Sequence, residues 1–197
     1  MTYTAIIILA AGNSSRMGQL KQLLPYKGKT LLQHAVDTAI DSELGPVFVV
    51  LGHEAEHIGE QLKGEKGDFT ILHHPGWAEG MGSSIRVGLK WVLALWPQCS
   101  QCLITLADQP LVNARHLQDL VTATEEDTSG AATVYDNQVG VPAFFKSTFF
   151  NKLLELQGDK GAKALIEAHR TQFSFVTLPD AAVDLDTPED WTRWATD

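Results

Sequence analysis

The chain has 197 residues, of which 44% are hydrophobic and 20% charged, proportions of a folded domain with one large core, and the length predicts a single domain over 1–197. Fifteen Lys and Arg against 24 Asp and Glu leave a net charge of −9, which argues against nucleic acid as a partner because duplex binding needs a basic footprint. No apolar stretch reaches the roughly 18 residues of a membrane span, the first residues lack the basic region of a secretion signal, and two cysteines exclude a disulfide framework. The expectations are no membrane and a cytoplasmic location.

Charge is unevenly distributed. Residues 1–36 contain Arg16, Lys21, Lys27 and Lys29 and no acid, whereas all 24 acids lie beyond them. A cationic segment on an acidic chain suits a small polyanion held at one place, or else a solvated loop.

The apolar run at 5–9 predicts a buried strand, followed by a loop over 10–28. A helix is expected from Thr30, with Leu31, Leu32, Ala35, Val36 and Ala39 on one face. Residues 46–51 read as a strand, 53–62 as a helix and 69–72 as a third strand. The stripe Ile85, Leu89, Val92, Leu93 and Trp96 predicts a helix over 83–95, and Trp91 and Trp96 read as core residues. A strand at 102–107 runs into Asp108-Gln109-Pro110, and Asn113 can cap the helix that extends to about Glu125. Strands are expected at 131–135 and 139–145, helices near 147–156 and 161–169, a strand at 173–178 and a short helix from Thr187. Continuous apolar strands alternating with helices predict an α/β three-layer sandwich with a mostly parallel, Rossmann-like sheet. Ligands of such sheets bind beyond the carboxyl ends of the strands. The loop after the first strand and Asp108 after the fourth would then face one crevice.

The loop LAAGNSSRMGQLKQLLP, residues 9–25, opens with Ala10, Ala11 and Gly12, small enough for backbone N–H groups to approach a ligand. Asn13, Ser14 and Ser15 add short donors, Arg16 can fork onto phosphate oxygens, and Lys21 supplies a point charge. It is neither a Walker A nor a GxGxxG loop. It reads as an anion cradle or as a structural turn. Asp108 stands at the end of an apolar strand, either as a metal ligand or as a turn aspartate before Pro110. In DLDTPED, residues 184–190, Thr187 and Asp190 have capping-box spacing, while Asp184 and Asp186 alternate to one side of an extended segment. Carboxylates together with an Arg/Lys loop fit Mg²⁺-dependent chemistry on a triphosphate.

The loop, the segment HPGWAEGMGSSIRVGL, the strand end LADQP, VGVPAFF, GDKGA and DLDTPED occur in this order. Together they resemble the molybdenum-cofactor nucleotidyltransferase family, in its CTP:molybdopterin cytidylyltransferase-like branch. The resemblance spans residues 6–191 and implies a fold of the nucleotide-diphospho-sugar transferase type. By this resemblance Leu9, Ala10, Ala11 and Gly12 hold base and ribose, Arg16 and Lys21 the triphosphate, and Gly80, Ser83 and Ser84 lie near the base. Asp108 would bind Mg²⁺ with Asp186 or Asp184, and Arg16, Lys21 and Asp108 would form the catalytic set. Gly140, Pro142, Gly158, Asp159 and Gly161 would line the acceptor pocket. Ala11, where the guanylyltransferase branch usually carries glycine, favours CTP. The chain departs from the family in lacking a polar residue just before Pro142. Implied partners are a nucleoside triphosphate, a phosphorylated small-molecule acceptor such as molybdopterin, and a molybdoenzyme or its chaperone that takes over the product. Other readings left open are a transferase acting on a sugar or alcohol phosphate and a non-catalytic carrier of nucleotide or cofactor.

Three further patterns read as structural. HEAEH at 53–57 matches the zinc-protease pattern but sits at a helix start dense with acids, a solvated first turn. Cys99 and Cys102 have C-x-x-C spacing without a second pair or a following helix. His73-His74 precedes Pro75 and reads as edge packing.

Overall fold

The computed structural model describes residues 3–15, 17–135, 138–178 and 191. Its centre is a seven-stranded sheet. The strands are β1 (Ala5–Ala10), β4 (Val47–Leu51), β5 (Phe69–His73), β6 (Gln101–Leu106), β7 (Gly130–Tyr135), β8 (Gln138–Lys146) and β9 (Phe173–Thr177), in spatial order β5-β4-β1-β6-β8-β7-β9. β1 pairs in parallel with β4 and β6, β4 with β5, and β7 with β9, while β8 runs antiparallel to both its neighbours. The mostly parallel sheet follows from the continuous apolar runs, since strands covered on both faces have no polar alternation. A small hairpin of β2 (Pro25–Tyr26) and β3 (Lys29–Thr30) lies apart from it.

β1 shows how the layers are built. Ala5, Ile7 and Leu9 belong to one core cluster with Ile85, Leu89 and Val92, while Ile6, Ile8 and Ala10 belong to another with Leu32, Val36 and Leu117. Alternation with period two therefore divides one strand between two helical layers. Helices α3 (Met81–Leu95), α5 (Phe150–Leu154) and α6 (Ala162–Ala168) supply the first cluster, and α1 (Leu31–Asp41) and α4 (Ala114–Thr122) the second. Ile6, Ile7 and Ile8 are fully buried, each contributing about 1.5–3 kcal/mol of burial. α3 lies so close to the sheet that a Cβ on Gly88 would come within 2.9 Å of Ile7 Cγ2 and 3.0 Å of Val50 Cγ2.

Capping follows the expected signals. The Thr30 side chain accepts from the Gln33 N–H and that of Asn113 from the His116 N–H, each cap being worth about 1 kcal/mol.

Several elements differ from their sequence reading. The helix expected over 53–62 is α2, Ala55–Glu60, and Glu54 before it has φ 50°. His53 N donates to Ala11 O at 3.0 Å, so this stretch is tied to the β1 loop and the helix starts later. α3 begins at Met81 rather than at 83. Trp91, read as core, is 48% exposed: the buried stripe runs through Ile85, Gly88, Leu89 and Val92, and one residue off that stripe is about 100° around the helix. The stretch near 147–156 is a 3₁₀ turn, Ser147–Phe149, leading into the short α5. The helix expected from Thr187, like Arg16, Asp184 and Asp186, lies outside the described residues.

Candidate active site

β1 and β6 are adjacent and parallel, with Leu9 opposite Leu106, and Ala107 N donates to Leu9 O at 3.2 Å. From β1 the chain proceeds to β4 on one side, and it returns to β6 on the other only after β5 and α3. The carboxyl end of this strand pair is therefore the topological switch point where α/β sheets place ligands. A cavity of about 590 Å³ opens there. One wall is residues 9–15 with Lys21 and Gln22, another is Leu106, Ala107 and Asp108, and a third is Trp77, Ala78, Gly80, Met81 and Ser84, with Asp159 beside them.

Lys21 begins a 3₁₀ turn, Lys21–Leu23, and is 8% exposed although charged. Its Nζ lies 3.5 Å from Asp108 Oδ2, an ion pair whose acidic partner is one-third exposed. Asp108 thus has a cationic neighbour and still presents oxygen to the cavity. A cation beside a carboxylate, next to short donors and a small-residue loop, suits an anionic ligand that brings its own divalent ion.

The third wall is held by contacts within and behind it. Gly80 has φ 114°, and a Cβ there would lie 2.5 Å from Asp159 Oδ1 and from the Gly158 carbonyl carbon and oxygen. Gly82 N donates to Gly158 O at 2.9 Å, and Arg86 donates to Leu156 O at 2.6 Å and to both carboxylate oxygens of Glu79 at 2.8 and 2.9 Å. These bonds carry the segment 156–161 onto the start of α3 and bring Asp159 to the cavity.

Of the residues expected to hold nucleotide, Leu9, Ala10, Ala11, Gly12, Lys21, Gly80 and Ser84 line this cavity. Ser83 does not. It is fully buried, and its hydroxyl lies 2.7 Å from Gly80 O and 2.7 Å from His74 Nε2. Burial pushes the His74 imidazole below its ordinary pKa, and the ring packs behind the wall against Ser83. Of the residues expected around the acceptor, Asp159 faces the same cavity as the loop, whereas Gly158 bonds to α3 and Gly161 lies against Met81. Gly140 is buried against the Tyr135 hydroxyl, and the Pro142 carbonyl accepts from Thr133 Oγ1 at 2.6 Å. Neither is on the cavity wall; Gln109 Nε2, one residue beyond Asp108, donates to Val141 O at 2.9 Å and bridges the two regions.

Sequence reading missed Trp77, Met81 and Gln22. Trp77 was visible as the aromatic in HPGW before a glycine-rich helix start, and its ring packs edge-on against His53 at 5.1 Å. Met81 and Gln22 carry no signal of their own, since an apolar residue and an amide fit a helix start or a loop equally well.

None of the other patterns contributes a residue to the lining of this cavity. His73, His74, Glu54, Glu56, His57 and Glu60 border a separate open concavity, and among the described residues no group of three or more His, Cys, Asp or Glu side chains is placed to hold a metal ion by itself. Cys99 and Cys102 are free and buried, and burial raises both thiol pKa values. Among the described residues no helix is long and apolar enough to cross a membrane.

The chain is similar to several known proteins. The chain is 31% identical to the purine catabolism protein PucB of Bacillus subtilis over 96% of its own length and 94% of that protein. It is 32% identical to the molybdenum cofactor cytidylyltransferase of Escherichia coli over 53% of its length and 50% of that protein. The crystal structure of Rv0371c of Mycobacterium tuberculosis in complex with manganese superposes with a TM-score of 0.79 at 26% identity, covering 100% of this chain and 99% of that one. With the sheet order, the switch-point cavity and a match of residues 6–173 to the MobA-like NTP transferase domain, the chain belongs to that family, a nucleotidyltransferase built on an α/β sheet.

Proposed function

We propose that the protein transfers a nucleoside monophosphate, CMP from CTP, to the terminal phosphate of molybdopterin cofactor and releases pyrophosphate. The observation that carries this is the meeting of the loop 9–15, Lys21 and Asp108 around one cavity at the switch point. The likeness to the cytidylyltransferase supports the choice of base and acceptor.

In this reading an oxygen of the acceptor phosphate forms a bond to the α-phosphorus, in line with the α–β bridging bond. That bond breaks, and pyrophosphate leaves with its electron pair. Attacker and target are both anionic, so the protein's task is alignment and charge neutralisation. Lys21, and Arg16 on the same loop, bind the triphosphate. The N–H groups of Ala11 and Gly12 sit against base and ribose, and Gly80 and Ser84 close the wall beside them. Asp159 lines the acceptor end, with Gly140, Pro142, Gly158 and Gly161 supporting that end in this reading.

The donor set fits a divalent cation. Asp108 offers hard carboxylate oxygen beside the phosphate-binding loop, with Asp186 or Asp184 as the second contributor, and substrate phosphates complete such a shell. Mg²⁺ bound there supplies neutralisation of the charge that develops on the leaving pyrophosphate. The manganese-bound relative supports a divalent ion in this fold. In this reading the product is then handed over to a molybdoenzyme or its chaperone.

The test is pyrophosphate release with each nucleoside triphosphate, Mg²⁺ and molybdopterin, set beside a panel of sugar and alcohol phosphates. Release with CTP and molybdopterin alone is expected. Release only with a sugar or alcohol phosphate would replace the acceptor. Tight triphosphate binding without release under any acceptor would make the protein a carrier.

A further inference from the structure

We infer that Gln22 is a positioning residue for the nucleotide site, fixing the orientation of the loop peptides from beneath. Gln22 is 5% exposed. Its Nε2 donates to Ala10 O at 3.0 Å and to Gly12 O at 2.8 Å, and its Oε1 accepts from Ser14 Oγ at 3.4 Å. Both amide hydrogens are used on the loop, and a flipped amide would set Oε1 against two carbonyl oxygens, so the neighbours fix its orientation. The Ser14 hydroxyl that holds Oε1 itself accepts from Lys21 N at 3.2 Å, linking the clamp to the residue before Gln22.

The consequence is electrostatic. Ala10 O and Gly12 O are turned to Gln22, and Ala11 O accepts from His53 N at 3.0 Å. Three successive carbonyl oxygens are thus satisfied within the protein. In a planar trans peptide the N–H lies opposite the C=O, so the N–H groups of Ala11, Gly12 and Asn13 point away from these donors. All three residues line the cavity. Without Gln22 the peptides at 10–11 and 12–13 could rotate, presenting oxygen to the bound nucleotide in place of N–H.

This inference rests on the cavity being a nucleoside triphosphate site, and the experiment separates the two. Affinity for CTP with Mg²⁺ is measured by calorimetry, along with KM, kcat and the thermal midpoint of ligand-free protein, for the native chain, Gln22→Met, Gln22→Glu and Ser14→Ala. Gln22→Met has similar length and no donor. It should weaken nucleotide binding and raise KM about tenfold, with kcat at saturation changed much less. Gln22→Glu should bind more weakly still, because carboxylate oxygens would face the Ala10 and Gly12 carbonyls and add negative charge beneath an anion site. Ser14→Ala, which removes the partner of Oε1 and the acceptor of the Lys21 N–H but leaves both Nε2 bonds in place, should show a smaller rise in KM and keeps the inference testable if Gln22→Met does not fold. Unchanged affinity and KM in variants with a lowered thermal midpoint would overturn the inference, leaving Gln22 a purely structural amide. A native protein that binds no nucleoside triphosphate would overturn the nucleotide reading itself.

Discussion

Lys21 Nζ and Asp108 Oδ2 lie 3.5 Å apart across the crevice between β1 and β6, joining the cationic start of the chain to an aspartate at the end of the fourth core strand. The parallel register of β1 and β6 brings them together, because each strand delivers its following loop to the same edge of the sheet.

Asp108→Ala should reduce turnover by a factor of ~100 or more, the scale of losing a principal electrostatic stabiliser. Pyrophosphate release at saturating triphosphate and Mg²⁺ measures it, and turnover near the native value would remove Asp108 from the metal role.

Lys21→Met should raise the KM for nucleoside triphosphate and flatten its dependence on ionic strength, since a point charge on phosphate is screened by salt. Arg16→Ala should likewise weaken triphosphate binding, through loss of its forked contact. A titration of KM against salt distinguishes both variants from the native chain, and an unchanged salt slope in either would exclude that residue from the phosphate site.

Gly80→Ala should lower both the thermal midpoint and nucleotide affinity. A side chain at φ 114° is strained, and its Cβ would meet Asp159 Oδ1 and the Gly158 backbone at 2.5 Å. The neighbouring backbone cannot yield cheaply, so the start of α3 must shift. Calorimetry with and without nucleotide reads the two effects, and native values in both would show that the wall tolerates a side chain.

Stability should fall as the pH drops below about 6.5. His74 and His116 are both depressed below the ordinary value of 6.5, chiefly by burial. His116 Nε2 lies 2.8 Å from Thr133 Oγ1, and His74 Nε2 lies 2.7 Å from Ser83 Oγ. Below the ordinary value the unfolded chain takes up protons that the folded chain refuses, so stability rises with pH through this window and is lost on acidification until the folded-state values are reached. Urea midpoints between about pH 5 and 7.5 should show a shallower acid slope for His116→Gln than for the native chain. An identical slope would remove His116 from the acid response.

The sequence by itself determined the layers and the loop that matters. Continuous apolar runs such as Ile6–Ile8 specify a strand covered on both faces, and helical stripes such as Leu32 and Val36 specify what covers it, because burial of apolar surface follows the local pattern. Asp108 was legible because a carboxylate ending an apolar strand needs a partner, and Lys21 because it lies in an acid-free cationic segment behind a small-residue loop. Only the tertiary structure decided how the remaining walls meet. Ser83 and Ser84 are neighbours in a glycine-rich helix start, and packing beneath α3 turned one into the core against His74 while leaving the other on the cavity. Trp91 was assigned to the core by its neighbourhood and lies outside it by one helical step. Asp159 reached the cavity through the bonds from Gly82 to Gly158 and from Arg86 to Leu156. Such placements depend on contacts between segments far apart in the chain, and local propensity carries no record of them.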